Sequence, residues 1–174
     1  FLSNTTRIAA ASTAAAALTR STAKAQPHPH DEPWQIGCYT RPWAQYDYRV
    51  ALDAIAEAGF KHVGLMSTQP KDDAKWALVI DVTTSIDEAA EVGRQAQQRG
   101  LQIPSVYGGS IPVNRSLQEG IDGLKKLVDN CAATGGTTLL TAGINRKELE
   151  ATYYKAVAEC CDYAAEKRVA LTLK

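Results

Sequence analysis

The sequence lacks any long hydrophobic run. Its most apolar amino-terminal stretch, residues 8–18, is too short and too rich in Ala and Thr to span a membrane. It also lacks a charge excess, with 19 basic and 19 acidic residues. Arg7, Arg20 and Lys24 fall in the first 25 residues, which hold no acid, so the remainder is slightly acidic. Such a body offers no electrostatic footprint for nucleic acid or for an anionic membrane surface. Histidine is scarce, and His28 and His30 stand in a proline-rich stretch that reads as linker rather than ligand. The four cysteines, Cys38, Cys131, Cys160 and Cys161, show no CxxC or Cys/His spacing. Cys160 and Cys161 are adjacent on a predicted helix, point about 100° apart and make a poor chelate. All four read as small buried apolar side chains. Spacing alone does not assign a disulfide, and a Cys38–Cys131 bridge stays open.

What is present is ordinary globular material, 45% hydrophobic and 22% charged. Residues 1–25 stand apart from it. They carry a mild apolar region, a basic residue near its end and Ala23-Lys24-Ala25, a candidate signal-peptidase site with Gln26 as the mature start. Phe1-Leu2 and Arg20 resemble a twin-arginine export signal, without the paired arginines and without an initiator Met. This predicts an export remnant over 1–25, a linker over 26–33, a domain over 34–174 and a periplasmic location.

From residue 34 onward, short apolar segments alternate with helical patterns. Strands are predicted over 34–40, 62–67, 101–107, 137–142 and 169–174. Asp47, the pair Ser85/Glu88 and the pair Ser116/Glu119 supply helix N-caps, and Asn145 is expected to cap a fourth helix. The expected inward stripes are Leu52, Ile55, Ala56 and Gly59, then Ile86, Ala89, Ala90, Gly93 and Ala96. Ile121, Leu124, Leu127, Val128 and Cys131 follow, and then Leu149, Tyr153, Ala156, Val157, Cys160 and Ala164. Gly59, Gly100 and Gly135-Gly136 stop the first three helices.

Strand–helix alternation with near-continuous apolar strands is the signature of a parallel sheet. An open doubly wound sheet of five strands also fits the count. However, the first strand–helix turn lacks a phosphate-cradling Gly-x-Gly-x-x-Gly, and no helix follows the fifth strand. The preferred class is therefore α/β, a (β/α)8 barrel truncated to about the first four and a half units. Its open edge predicts self-association.

A barrel gathers the carboxyl ends of its strands on one face. Tyr39, Thr40, Arg41 and Trp43 fall there, with Met66 and Ser67 from the second strand. Tyr107, Gly108 and Gly109 come from the third, Ala142, Gly143 and Asn145 from the fourth, and Lys174 from the fifth. Aromatics over a polar floor suit a sugar, and Gly108-Gly109 would let backbone amides approach it. Tyr39, Arg41, Trp43, Tyr107, Gly108 and Gly109 are the candidate substrate contacts.

Trp-Gln-Ile-Gly-Cys-Tyr-Thr (34–40), Ala-Leu-Asp-Ala-Ile-Ala-Glu-Ala-Gly-Phe (51–60), Arg-Gly-Leu-Gln-Ile-Pro-Ser-Val-Tyr-Gly-Gly (99–109) and the closing Ala-Leu-Thr-Leu-Lys resemble the sugar phosphate isomerase/epimerase family. That family belongs to the xylose isomerase-like superfamily, which also contains endonuclease IV. The resemblance implies a divalent metal cation, a sugar or polyol substrate and metal-assisted proton transfer beside a carbonyl. Members usually place a glutamate ligand at the end of strand five, where this chain has Lys174. Many end strand two in Val-Glu-Leu, where it has Val63-Gly64-Leu65. An ammonium has no lone pair for a cation. Lys174 becomes the candidate catalytic residue, as a base or a substrate contact, and the metal ligands are expected beyond it. A non-catalytic carbohydrate-binding barrel and an endonuclease IV-like phosphodiesterase are the alternatives.

Overall fold

Strand and helix alternate through residues 35–70 and 75–174, which the computed structural model describes. The expected export segment and linker lie outside the described residues. The elements are β1 (Gly37–Tyr39), α1 (Tyr48–Glu57), β2 (His62–Leu65), β3 (Ser67–Thr68), β4 (Ala77–Leu78) and α2 (Ile86–Gln98). Then come β5 (Gln102–Gly109), α3 (Leu117–Ala133), β6 (Thr138–Thr141), α4 (Glu150–Glu159), α5 (Cys161–Glu166) and β7 (Ala170–Leu173).

The main sheet runs β1-β2-β5-β6-β7, and every pairing is parallel. Its strands follow chain order with no reversal. In helical order, α1 packs on α2, α2 on α3 and α3 on α4. A doubly wound sheet would reverse its strand order at a switch point and divide its helices between two faces. The unbroken order is that of a barrel wall.

Local chemistry explains the helix ends. The Asp47 carboxylate accepts from the Arg49 amide at 2.9 Å. At α2 the Ser85 hydroxyl accepts from the Glu88 amide at 3.3 Å, and the Glu88 carboxylate accepts from the Ser85 amide at 2.8 Å. The second box closes only halfway. Ser116 accepts from the Glu119 amide, but the Glu119 carboxylate turns to Arg115 at 3.4 Å.

Four turns into strands repeat one geometry, in which a left-handed residue follows the helix and the next amide reaches back to a carbonyl five residues earlier. Phe60 bonds to Ile55, Leu101 to Ala96, Gly136 to Cys131 and Val169 to Ala164. The left-handed residue is Gly59, Gly100 or Gly135 in three turns and Arg168, at φ 58°, in the fourth. Glycine adopts this conformation without a Cβ penalty, whereas arginine bears it.

Several expectations are corrected. Asn145 caps nothing: a 3-10 turn, Lys147–Leu149, precedes α4, and neither has a side-chain cap. The fourth helix divides at Cys160, a turn residue at φ −102° and ψ −5° between α4 and α5. Ile86 is half exposed, and Val92 takes the inward place on α2. Cys161 is exposed rather than buried, and all four cysteines are free thiols. The third strand continues through Gly108 and Gly109. Between β2 and α2 the chain adds a small antiparallel hairpin, β3 with β4.

Alternation along the strands divides the sheet into two faces. Val63, Leu65, Val106 and Leu139 point at the helices and are buried in the core. The register places Tyr39, Gly64, Ser105, Tyr107, Leu140 and Thr172 on the other face, toward the barrel interior.

Candidate functional site

On the interior face, two side-chain pairs meet at β5. The first is Tyr39 with Ser105. The phenol of Tyr39, on β1, reaches over β2 and lies 2.8 Å from the Ser105 hydroxyl on β5. The ring crosses β2 at Gly64, where a Cβ would stand 2.5 Å from two ring carbons. No side chain fits beneath that ring.

The second pair is Tyr107 with Lys174. The Lys174 ammonium stands 5.5 Å from the Tyr107 ring centroid. Backbone bonds fix the base of the lysine, since its amide donates to the Thr141 carbonyl at 3.0 Å. Its carbonyl accepts from the Gly143 amide, also at 3.0 Å. Ser105 and Tyr107 are two residues apart on one strand, so both pairs share a face. Among the described residues no carboxylate pairs with the Lys174 ammonium.

The helix side supports this edge. Tyr153 is buried, donates to the Ala142 carbonyl at 2.8 Å and lies 3.2 Å from the Thr141 hydroxyl. Burial pushes the Tyr153 phenol up, against the lowering effect of the Thr141 bond, so it stays a donor. Thr40 is fully buried and joins β1 to the end of β2, accepting from the Met66 amide and donating to the Ser67 carbonyl. It is a strut, not a ligand contact.

The remaining candidates are dispersed. Arg41 is exposed in a 3-10 turn, and Trp43 packs against the core. Gly108 is needed for helix packing, because a Cβ there would meet Leu127 and Leu139 at 3.0–3.1 Å. Gly109 lies under Leu78 of the hairpin, which a Cβ would approach to 2.7 Å. Met66 and Ser67 lead into the hairpin, and Asn145 is exposed. Ser105 is the residue that sequence reasoning missed; its signal is the two-residue period back from Tyr107. A cleft of about 590 Å³ lies at the opposite end of the strands, lined by His62, Gln97, Gln102 and Thr134.

The donor set does not fit a divalent cation. Tyr39, Gly64, Ser105, Tyr107 and Lys174 offer neither carboxylate nor imidazole. Among the described residues no group of three or more His, Cys, Asp or Glu could hold a metal ion.

The sequence matches the Xylose isomerase-like TIM barrel family over residues 52–173. The chain belongs to that family. Solved structures with this fold include a D-psicose 3-epimerase crystallised in the presence of D-fructose, with 13% identity and a TM-score of 0.53. The match covers 78% of this chain and 51% of that one. The D-allulose 3-epimerase of Methylomonas sp. in complex with D-allulose matches with 16% identity and a TM-score of 0.54, over 81% of this chain and 51% of that one. The IolI protein with a bound zinc atom matches with 12% identity and a TM-score of 0.52, over 79% and 51%. This member of the xylose isomerase-like family thus spans about half the length of those solved structures. No curated protein sequence matches it.

Proposed function

We propose that this chain forms the substrate-binding wall of a sugar isomerase or epimerase. The observation that carries the reading is the Lys174 ammonium over the Tyr107 ring, at the carboxyl end of a parallel barrel wall. The rings of Tyr107 and Tyr39 offer apolar faces to the C–H groups of a sugar or polyol, and the ammonium donates to an oxygen. Isomerisation or epimerisation removes a proton next to a carbonyl. Lys174 would stabilise the oxygen that gains charge in that step. A divalent cation would supply the same polarisation, and it would draw its ligands from outside the described residues.

Turnover and binding of a ketohexose by the protein carrying this chain, with and without Lys174→Ala, test the reading. Loss of turnover with weakened binding supports it. Unchanged turnover in the variant contradicts it.

A second reading, a carbohydrate-binding barrel without catalysis, is favoured by the Tyr39 ring over Gly64 and by the lack of acids among the described residues that the register places on this face. Sugar binding that survives a chelator, with no turnover, selects it. Export to the periplasm is also proposed, supported by Ala23-Lys24-Ala25 and the acid-free first 25 residues. A mature amino terminus at Gln26 tests it.

A further inference from the structure

We propose that Ser105 is a positioning residue that fixes the Tyr39 ring as a stacking platform for the C–H face of a cyclic sugar. The proposal rests on the sugar-binding reading above and names the part of the wall that distinguishes ring-form ligands. Tyr39 sits on β1, and its hydroxyl is held two strands away, at 2.8 Å from Ser105. A tyrosine tethered only at its Cα could swing about χ1. Anchored at both ends, the ring stays across β2.

Gly64 makes this placement possible. A Cβ at that position would stand 2.5 Å from Cδ1 and Cε1 and 2.8 Å from Cγ, so every other residue type would lift or displace the ring. The parallel register sets the three residues side by side, with Tyr39 paired to Gly64 and Gly64 to Ser105. Tyr39 still keeps 38% of its surface exposed. Gly64 and Ser105 hold one side of the ring, and the exposed surface is open to the barrel interior.

An aromatic ring prefers the flat C–H face of a pyranose or furanose over an open chain, because the cyclic form presents its C–H groups together. A fixed ring collects that preference without paying to order itself on binding. Ser105 therefore acts on selectivity through Tyr39, without touching the sugar.

The test compares a ketohexose with the corresponding hexitol, which has the same carbon count but no ring. Both are titrated calorimetrically into the protein carrying this chain and into its Tyr39→Phe, Ser105→Ala, Ser105→Thr and double Tyr39→Phe/Ser105→Ala variants. Loss of one hydrogen bond of this kind corresponds to about three- to tenfold in affinity. The expected result is that loss for the ketohexose in Tyr39→Phe and in Ser105→Ala, with hexitol binding unchanged. The double variant should be no worse than either single, and Ser105→Thr, which keeps the hydroxyl, should bind as the unaltered protein does. An unaltered ketohexose-to-hexitol ratio in both single variants, or an equal loss for both ligands, overturns the inference and leaves the sugar-binding reading standing. Failure of the unaltered protein to bind either ligand contradicts the sugar-binding reading and this inference together.

Discussion

The Lys174 ammonium lies across β6 from the strand that carries Tyr107, 5.5 Å from the centre of its ring. Contacts of this type contribute about 0.5–1 kcal/mol at exposed sites, enough to bias the long side chain toward the interior face. Lys174→Ala should weaken ketohexose binding on the order of tenfold or more, as expected when a charged donor to a ligand oxygen is removed. Lys174→Arg keeps the charge and should retain part of the affinity. Calorimetric titration measures both.

Gly64→Ala should destabilise the fold or expel the Tyr39 ring, because the new methyl group enters the space the ring occupies. Overpacking of this kind costs about 1–3 kcal/mol. Adding Tyr39→Ala should relieve most of it. Urea denaturation of the single and double variants is the measurement, and additive losses would contradict the contact.

Arg168→Gly should stabilise the protein. Arg168 holds φ 58° in a turn whose three counterparts use glycine. The left-handed conformation costs a side chain about 1–2 kcal/mol, and glycine's extra entropy in the unfolded chain takes back about 0.5–1 kcal/mol. A gain of up to about 1.5 kcal/mol is expected in thermal or chemical unfolding.

Cys131 and Cys161 should differ sharply toward alkylating reagents. Cys161 is exposed, whereas burial pushes the Cys131 thiol up to about 12. At pH 8, Cys161 should label in the native protein and Cys131 only after unfolding. The raised value also ties stability to pH. The unfolded thiol ionises near its ordinary value of 9.0, so the contribution of Cys131 is complete below that pH. It declines as pH rises toward 12. Cys131→Ala should flatten this alkaline decline.

Much of the fold is legible in the sequence because its signals are local. Asp47, Ser85 and Ser116 occupy N-caps, three helices stop at glycines, and apolar runs mark the strands. The misses follow from interactions that local patterns do not carry. The hairpin of β3 and β4 has two residues per strand, too few for any periodicity. The Gly108-Gly109 pair reads as a place for backbone amides to approach a ligand, yet its glycines answer to Leu127, Leu139 and Leu78 from other elements. The two-residue period back from Tyr107 puts Ser105 on the interior face, but its role shows only when Tyr39 is seen reaching it from β1, 66 residues earlier. Gly64 reads as a missing acid, while the structure shows a ring laid over it.

The most direct test of the central claim is an NMR titration of the protein with a ketohexose, following the amides and side chains along the sheet. The account predicts shifts concentrated at Tyr39, Ser105, Tyr107, Gly143 and Lys174, on the interior face at the carboxyl ends of the strands. Shifts confined to His62, Gln97, Gln102 and Thr134, around the cleft at the opposite end, would contradict it.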